Sequence, residues 1–412
     1  MADLFISETR DPTPEPRGTA GSYDDILSQE DRAWLNGVYE KLTVKMKAEA
    51  ERVGTIIPYA PRDGRYHDLD EEGGLYNWTN SFYPGMLWQM YNATGDEMYR
   101  RAAEGIEKRM EEVLVEFQEL DHDIGFLFLP LSVANYRKTG SSHARSNGLK
   151  AADILAGRFN LAGGYIRAWN DRMAGFFGDE GKIAGYMIID CMMNIPLLYW
   201  AARETDDPRF YHIALKHAKT AQQYSVRPDG SCNHILIFDP ATGEFVDNPA
   251  GQGYGRGSSW SRGQAWAVYG FTLSYLHTGD QTFLDTAKQC AQYVIANLAV
   301  GDWLPLVDYR APAEPVKYDS TAGMITAAGL LELARHVGPY ERPLYGKAAL
   351  RILRACEKRF ANWDPKMDSI MDGGTYFYHD PDGTNTEVPI IYGDYYLIEA
   401  VLKLKGKELF IW

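Results

Sequence analysis

Five times along the chain an apolar run ends in a tight polar turn, and a charged amphipathic segment follows. Leu87 to Tyr91 leads into Thr94-Gly95-Asp96, and Val133 to Tyr136 into Thr139-Gly140. Pro196 to Trp200 leads into Thr205-Asp206-Asp207-Pro208, and Leu273 to Leu276 into Thr278-Gly279-Asp280. The fifth copy runs from Leu330 to Leu333 into Val337-Gly338-Pro339. Glycine closes a helix because it adopts the left-handed conformation without strain, and Asp or Ser opens the next by accepting from its free N–H groups. The second segments carry a 3.6-residue stripe, as in Phe283, Ala287, Cys290, Ala291 and Val294, so each buries one face only. A sixth apolar helix is expected from about Tyr395 to Leu404, with its outer partner at the other end of the sequence, from about Tyr23 to Val53. Six inner and six outer helices that close first onto last make an all-α (α/α)6 barrel; the alternative is an open helical solenoid.

At 412 residues, 45% of them hydrophobic, the chain has enough apolar material for one large core. The expected organisation is an N-terminal extension over residues 1–22 and a single barrel domain over 23–412. Short β-hairpin inserts are expected on one rim. Pro228-Asp229-Gly230 and Gly243 bracket His234 to Phe238, and Asp372-Gly373-Gly374 and Asp380-Pro381-Asp382-Gly383 bracket Thr375 to Tyr378. Both fall between an outer helix and the next inner one. The opposite rim is expected to carry only the tight turns.

A formal net charge of −14 opposes binding to nucleic acid, whose phosphates attract basic surfaces. No run approaches the roughly 18 apolar residues of a membrane span, and no basic-then-apolar leader is evident at Met1-Ala2-Asp3-Leu4-Phe5. Cys191, Cys232, Cys290 and Cys356 are scattered without metal-ligand or disulfide spacing. A cytoplasmic protein is expected, with no membrane partner, no metal and no cofactor. There is no Gly-x-Ser-x-Gly elbow, no Walker loop and no dinucleotide fingerprint after a strand. The 10 Trp and 27 Tyr favour a sugar ligand.

Because all outer-to-inner loops share one rim, residues far apart in sequence converge there. Gln252 to Gly270 is the densest such stretch: a glycine-rich loop holding Arg256, Trp260, Arg262 and Trp266 ahead of an inner helix. Planar cationic forks and flat aromatic faces suit an anionic ring-shaped ligand. Asp190 sits in the apolar run Met187-Ile188-Ile189-Asp190-Cys191-Met192-Met193. Burial there raises a carboxyl pKa, as a general acid requires, whereas a helix N-terminus would favour the anion; the competing reading is a simple N-cap. Asp123, in Asp121-His122-Asp123-Ile124-Gly125-Phe126, poses the same choice. Trp78 in Tyr76-Asn77-Trp78-Thr79-Asn80 is equally readable as a sugar platform or as core, and His234 on its strand is more readily read as structure. For Asp319 and Asp394, capping is the stronger reading.

Four motifs together resemble glycoside hydrolase family 88, the unsaturated glucuronyl hydrolases. They are Gly257-Ser258-Ser259-Trp260-Ser261-Arg262-Gly263-Gln264-Ala265-Trp266, Ile189-Asp190-Cys191-Met192-Met193-Asn194, His122-Asp123-Ile124-Gly125-Phe126 and Tyr392-Gly393-Asp394-Tyr395. The resemblance runs from about residue 24 onward, and it implies an (α/α)6 barrel. It also implies removal of a 4,5-unsaturated glucuronyl residue from the non-reducing end of lyase-generated oligosaccharides, glycosaminoglycan fragments among them. In that reading Asp190 protonates C4 of the double bond and helps deliver water to C5, with Asp123 assisting. His122, His234, Gln252 and Arg262 contact the uronate or the water, and Trp78 and Trp266 stack on the sugars. No metal or organic cofactor is implied, and a monomer or homodimer is expected. In the loop before Tyr392, Asp380, Asp382 and Glu387 would repel sulfate despite the hydroxyls of Thr384 and Thr386. The alternatives are an unsaturated rhamnogalacturonyl hydrolase on the same fold, a sugar epimerase using His122 and His234, and a non-catalytic sugar-binding protein.

Overall fold

A computed structural model describes residues 22–177 and 183–412. Apart from Ser22, the N-terminal extension expected over 1–22 lies outside the described residues. The inner ring consists of α2 (Phe82–Thr94); α4 (Ile124–Phe128) and α5 (Ala134–Thr139), joined by a π-helical turn at Leu129–Val133; α7 (Pro196–Thr205); α9 (Ser261–Thr278); α11 (Ser320–His336); and α13 (Ile391–Lys405). The outer ring is α1 (Gln29–Val53), α3 (Glu97–Met110), α6 (Ser142–Gly157), α8 (Pro208–Tyr224), α10 (Gln281–Ala299) and α12 (Arg342–Phe360). Neighbouring inner helices pack around the ring, each outer helix backs an inner one, and α13 touches both α2 and α1. That last contact closes the barrel and excludes the open solenoid.

Inner helices are buried almost all round; α11 is buried at every position from Ser320 to Ala334. Outer helices bury only their stripe, and Phe283, Ala287, Cys290, Ala291 and Val294 of α10 are all covered. The repeat turns form as their sequences dictate. Gly95, Gly140 and Gly279 hold φ of 76°, 74° and 72°, and the side chains of Asp96, Ser141, Asp207 and Asp280 accept from the first turns of α3, α6, α8 and α10. Each such cap contributes about 1 kcal/mol.

Three expectations need correction. The first outer helix begins at Gln29, not near Tyr23, because Ser28 and Asp31 form a reciprocal capping box. Tyr23 instead packs inward and its hydroxyl donates to the Leu331 carbonyl. Thr375 to Tyr378 forms no strand, only a neighbouring bridge between Gly374 and Val388; its Thr375 and Tyr376 carbonyls are drawn instead to Arg262. The rim opposite the long loops carries more than turns. There Leu409, Phe410, Ile411 and Trp412 are buried, and Leu409 exchanges backbone hydrogen bonds with the Gln89 side chain at 2.7 and 2.8 Å. Trp412 enters the barrel axis, stacks on Tyr396 at 6.0 Å and donates to Glu399.

The hairpin around residue 235 forms as β4 (Ile235–Phe238) with β5 (Phe245–Asp247). Two further pieces escape the sequence reading: β1 (Phe159–Asn160) with β2 (Tyr165–Ile166), and β3 (Tyr186–Ile188) added to β4. All lie in outer-to-inner loops, on the open rim.

Candidate active site

Asp190 owes its position to the small sheet. β3 delivers the chain to a 3-10 turn at Ile189–Met193, and Ile189 N–H donates to the His234 carbonyl at 3.1 Å. The turn ends before Pro196 starts α7, so Asp190 makes no side-chain cap. Its carboxyl is 16% exposed, and Oδ1 is buried with no hydrogen-bond partner. Burial pushes its pKa up to about 7, although the Arg262 cation opposes the shift. A carboxyl poised there can hold a proton and release it near neutral pH.

His234 precedes β4 and faces Asp190, Nε2 to Oδ1 at 3.7 Å. Its Nδ1 accepts from Gln252 N–H at 3.1 Å, so the neutral ring carries its proton on Nε2, toward Asp190. Burial, reinforced by Arg262, lowers the imidazole pKa to about 3, keeping it neutral. Trp260 packs on the ring at 4.3 Å.

Asp123 opens α4 without capping it. Its carboxyl is raised well above the usual range, first by burial, then by the charges of Asp121 and Asp190. His122 Nε2 lies 3.4 Å from Oδ1. That ring is fully buried, both nitrogens lack partners, and burial drives its pKa well down. His122 thus backs Asp123 from inside.

The sequence-predicted loop residues converge here in different roles. Arg262 is 2% exposed and its two terminal nitrogens are engaged: Nη1 binds Asp319 at 3.0 Å, Thr321 Oγ1 at 3.2 Å and the Thr375 carbonyl at 2.8 Å, and Nη2 binds the Tyr376 carbonyl at 2.7 Å. It lies between Trp260 and Tyr392, at 4.6 and 5.5 Å. It ties loops together through Nη1 and Nη2 while its charge acts on Asp190 and His234. Gln252 also ties loops together, with its side-chain amide on Tyr376 O. Trp266 has no exposed surface and packs on Phe126 at 5.2 Å, so it belongs to the floor. Trp78 remains half-buried, edge-on to Phe82 and 4.9 Å from Tyr392, and keeps one side toward the rim. Arg256 pairs with Asp247 at the surface. Asp319 caps α11 and pairs with Arg262. Asp394 is no cap: it lies inside α13 and accepts from Ile370 and Met371 N–H and from the Ser369 hydroxyl.

Two residues went unread in the sequence. Asn194 lies between Asp123 and the Asp190 turn, four positions after Asp190, a spacing that signals a shared turn. Arg158, after α6, is held among the described residues by neutral acceptors: the carbonyls of Leu120, Arg167 and Ala168 and the Asn170 amide oxygen. It supplies positive charge toward Asp121 and Asp123. Among the described residues no cluster of His, Cys, Asp or Glu has the geometry of a metal site.

The Glycosyl Hydrolase Family 88 model matches residues 50–328. Unsaturated glucuronyl hydrolase of Bacillus sp. (strain GL1) is 37% identical over 384 residues, 92% of this chain and 98% of that one. Unsaturated chondroitin disaccharide hydrolase of Streptococcus pyogenes serotype M1 is 32% identical, covering 92% of each. The crystal structure of the Bacillus sp. GL1 enzyme, responsible for the degradation of glycosaminoglycan, matches with a TM-score of 0.81 at 34% identity, over 90% of this chain and 97% of that one. Family model, full-length relatives and barrel agree: the chain belongs to Glycosyl Hydrolase Family 88.

Proposed function

We propose that this protein removes the 4,5-unsaturated glucuronyl residue from the non-reducing end of glycosaminoglycan-type oligosaccharides, with Asp190 as general acid and base. The observation that carries the reading is the buried Asp190 Oδ1 on the open rim, without a hydrogen-bond partner and 3.7 Å from His234 Nε2; burial there pushes the carboxyl pKa up to about 7. The substrate's ring is a vinyl ether conjugated to a carboxylate. Asp190 gives its proton to C4, and the cation left at C5 is stabilised by the ring oxygen. Water adds to C5 and surrenders a proton to the Asp190 carboxylate, which restores the acid. The C5 hemiketal then opens to a ketone, the ring oxygen becomes a hydroxyl on C1, and that hemiacetal expels the remaining sugar as an alcohol. One carboxyl serves both proton transfers, so the spacing rule for paired glycosidase carboxylates does not govern this reaction.

In this reading Asp123 and the Nε2–H of His234 orient the water and the ring, and Trp78 offers the stacking face. Arg262, Gln252, His122 and Trp266 hold these groups from behind. Supporting the substrate class are the relatives that act on unsaturated glucuronyl and chondroitin units. We assign the protein to a reducing compartment, supported by four buried cysteines without disulfides; no described helix is long and apolar enough to cross a membrane. The test follows ultraviolet absorbance of the conjugated double bond with unsaturated chondroitin and rhamnogalacturonan disaccharides. Loss of absorbance on the former that vanishes in Asp190→Asn is expected. Retained turnover in that variant, or turnover of rhamnogalacturonan alone, would sink the assignment.

A further inference from the structure

Asn194 is fully buried and spends its whole amide on the two carboxylate-bearing segments. Its Nδ2 donates to Asp123 Oδ1 at 3.0 Å and to the Asp190 carbonyl at 3.3 Å, while its Oδ1 accepts from Phe126 N–H at 2.7 Å. One side chain therefore fixes the start of α4 and the 3-10 turn relative to each other. Local packing enforces the approach: a Cβ on Gly125 would collide with the Asn194 backbone. The Nδ2–H also favours the ionised form of Asp123.

We propose that Asn194 is the positioning residue of this site, which sets the geometry of the carboxylate pair and restrains the proton affinity of Asp123. Several groups face Asp123. Asp121 and His122 lie on its own segment, Asp190 and Cys191 on the 3-10 turn with Asn194 just after it, and Arg158 beyond α6. His217 of α8 and His234 beside β4 face His122 behind it. Of these, Asn194 alone among the described residues donates a side-chain hydrogen bond to the Asp123 carboxylate. Arg158 favours the anion from further away, and Asp121 and Asp190 oppose it.

The inference rests on the proposed activity, and the experiment separates the two. The full-length enzyme is assayed by absorbance across pH alongside Asn194→Ala, Asn194→Asp and Asn194→Ser, with Asp190→Asn as reference. Asn194→Asp keeps the volume and the acceptor for Phe126 N–H but loses the donor. Both it and Asn194→Ala are expected to lose kcat roughly 10- to 100-fold with little change in KM. The limb of the pH profile governed by Asp123 should move upward by about one pH unit. Asn194→Ser, which retains a hydroxyl donor, is expected to recover part of that displacement. An unmoved profile, or loss of fold in both Asn194→Ala and Asn194→Asp, would overturn the proposal by making the role structural only. Turnover by Asp190→Asn would instead overturn the activity on which it rests.

Discussion

The barrel buries carboxylates at both ends and treats them oppositely. At the closed end Glu332 is fully buried, with Lys403 Nζ at 2.6 Å, Arg335 at 3.1 Å and His336 Nε2 at 3.1 Å. Arg335 and Lys403 also reach Glu408. Burial alone would raise the Glu332 carboxyl, but the cations hold it well below the usual range. At the open end Asp123 and Asp190 are similarly sheltered, yet neither forms an ion pair with a lysine or arginine among the described residues, and both are raised. The histidines beside them are neutral. The difference is in the company kept, not in depth. The closed end surrounds Glu332 with cations, although burial still raises its neighbour Glu408; the open end leaves Asp123 and Asp190 without such partners, where chemistry can relieve the tension.

The largest expected effect that sharpens this contrast is at the open end: Asp190→Asn should lower kcat by about 10³-fold, measured by the absorbance assay, with the fold retained. At the closed end, Lys403→Met leaves Glu332 and Glu408 sharing the Arg335 cation and should cost roughly 3–5 kcal/mol, read as a lower urea midpoint. The same Asp190→Asn change should move stability the other way. The wild-type carboxyl has a folded pKa of about 7 against an ordinary 3.8, so its contribution is present in acid and is lost as pH rises across that window. Asparagine escapes the loss, and the variant's advantage should grow from acid to neutral pH by up to ~1.4 kcal/mol for each tenfold in proton affinity. Equal urea midpoints across that range would break the comparison. The wild-type rate should fall as pH rises through about 7, where Asp190 loses the proton it must donate; a flat profile above neutrality would remove it as the acid. The smallest effect is Trp78→Ala, expected to raise KM by about 3- to 10-fold for loss of one stacking face.

The ring was legible because its signals are local: a glycine at the helix end and an Asp or Ser cap act within a few residues. The burial of Asp190 was legible because it lies in an apolar run, although a simple N-cap competed with the catalytic reading. The spending of Arg262 was not, since its acceptors lie 57 to 114 residues away. Read alone, the arginine looked free for an anionic ligand. The closed-end network escaped for a related reason. Glu332, Arg335 and Lys403 are ordinary helix residues by pattern, and their burial where α11 and α13 meet Glu408 is set by the fold. For Asn194 the four-residue spacing from Asp190 signals a shared turn, but its tie to Asp123, 71 residues away, is set only by the fold.

The meeting of α1 with α13 has a kinetic side. Lys405 of α13 reaches Asn36 of α1 across 369 positions of sequence, and Arg354 of α12 reaches Asp31 of α1 across 323. Such contacts repay their loop-closure entropy only after nearly everything between them is arranged. Barrel assembly should therefore be slow and late, with its last step the docking of the first helix against the last. Once made, the ring has no free terminal repeat from which to fray.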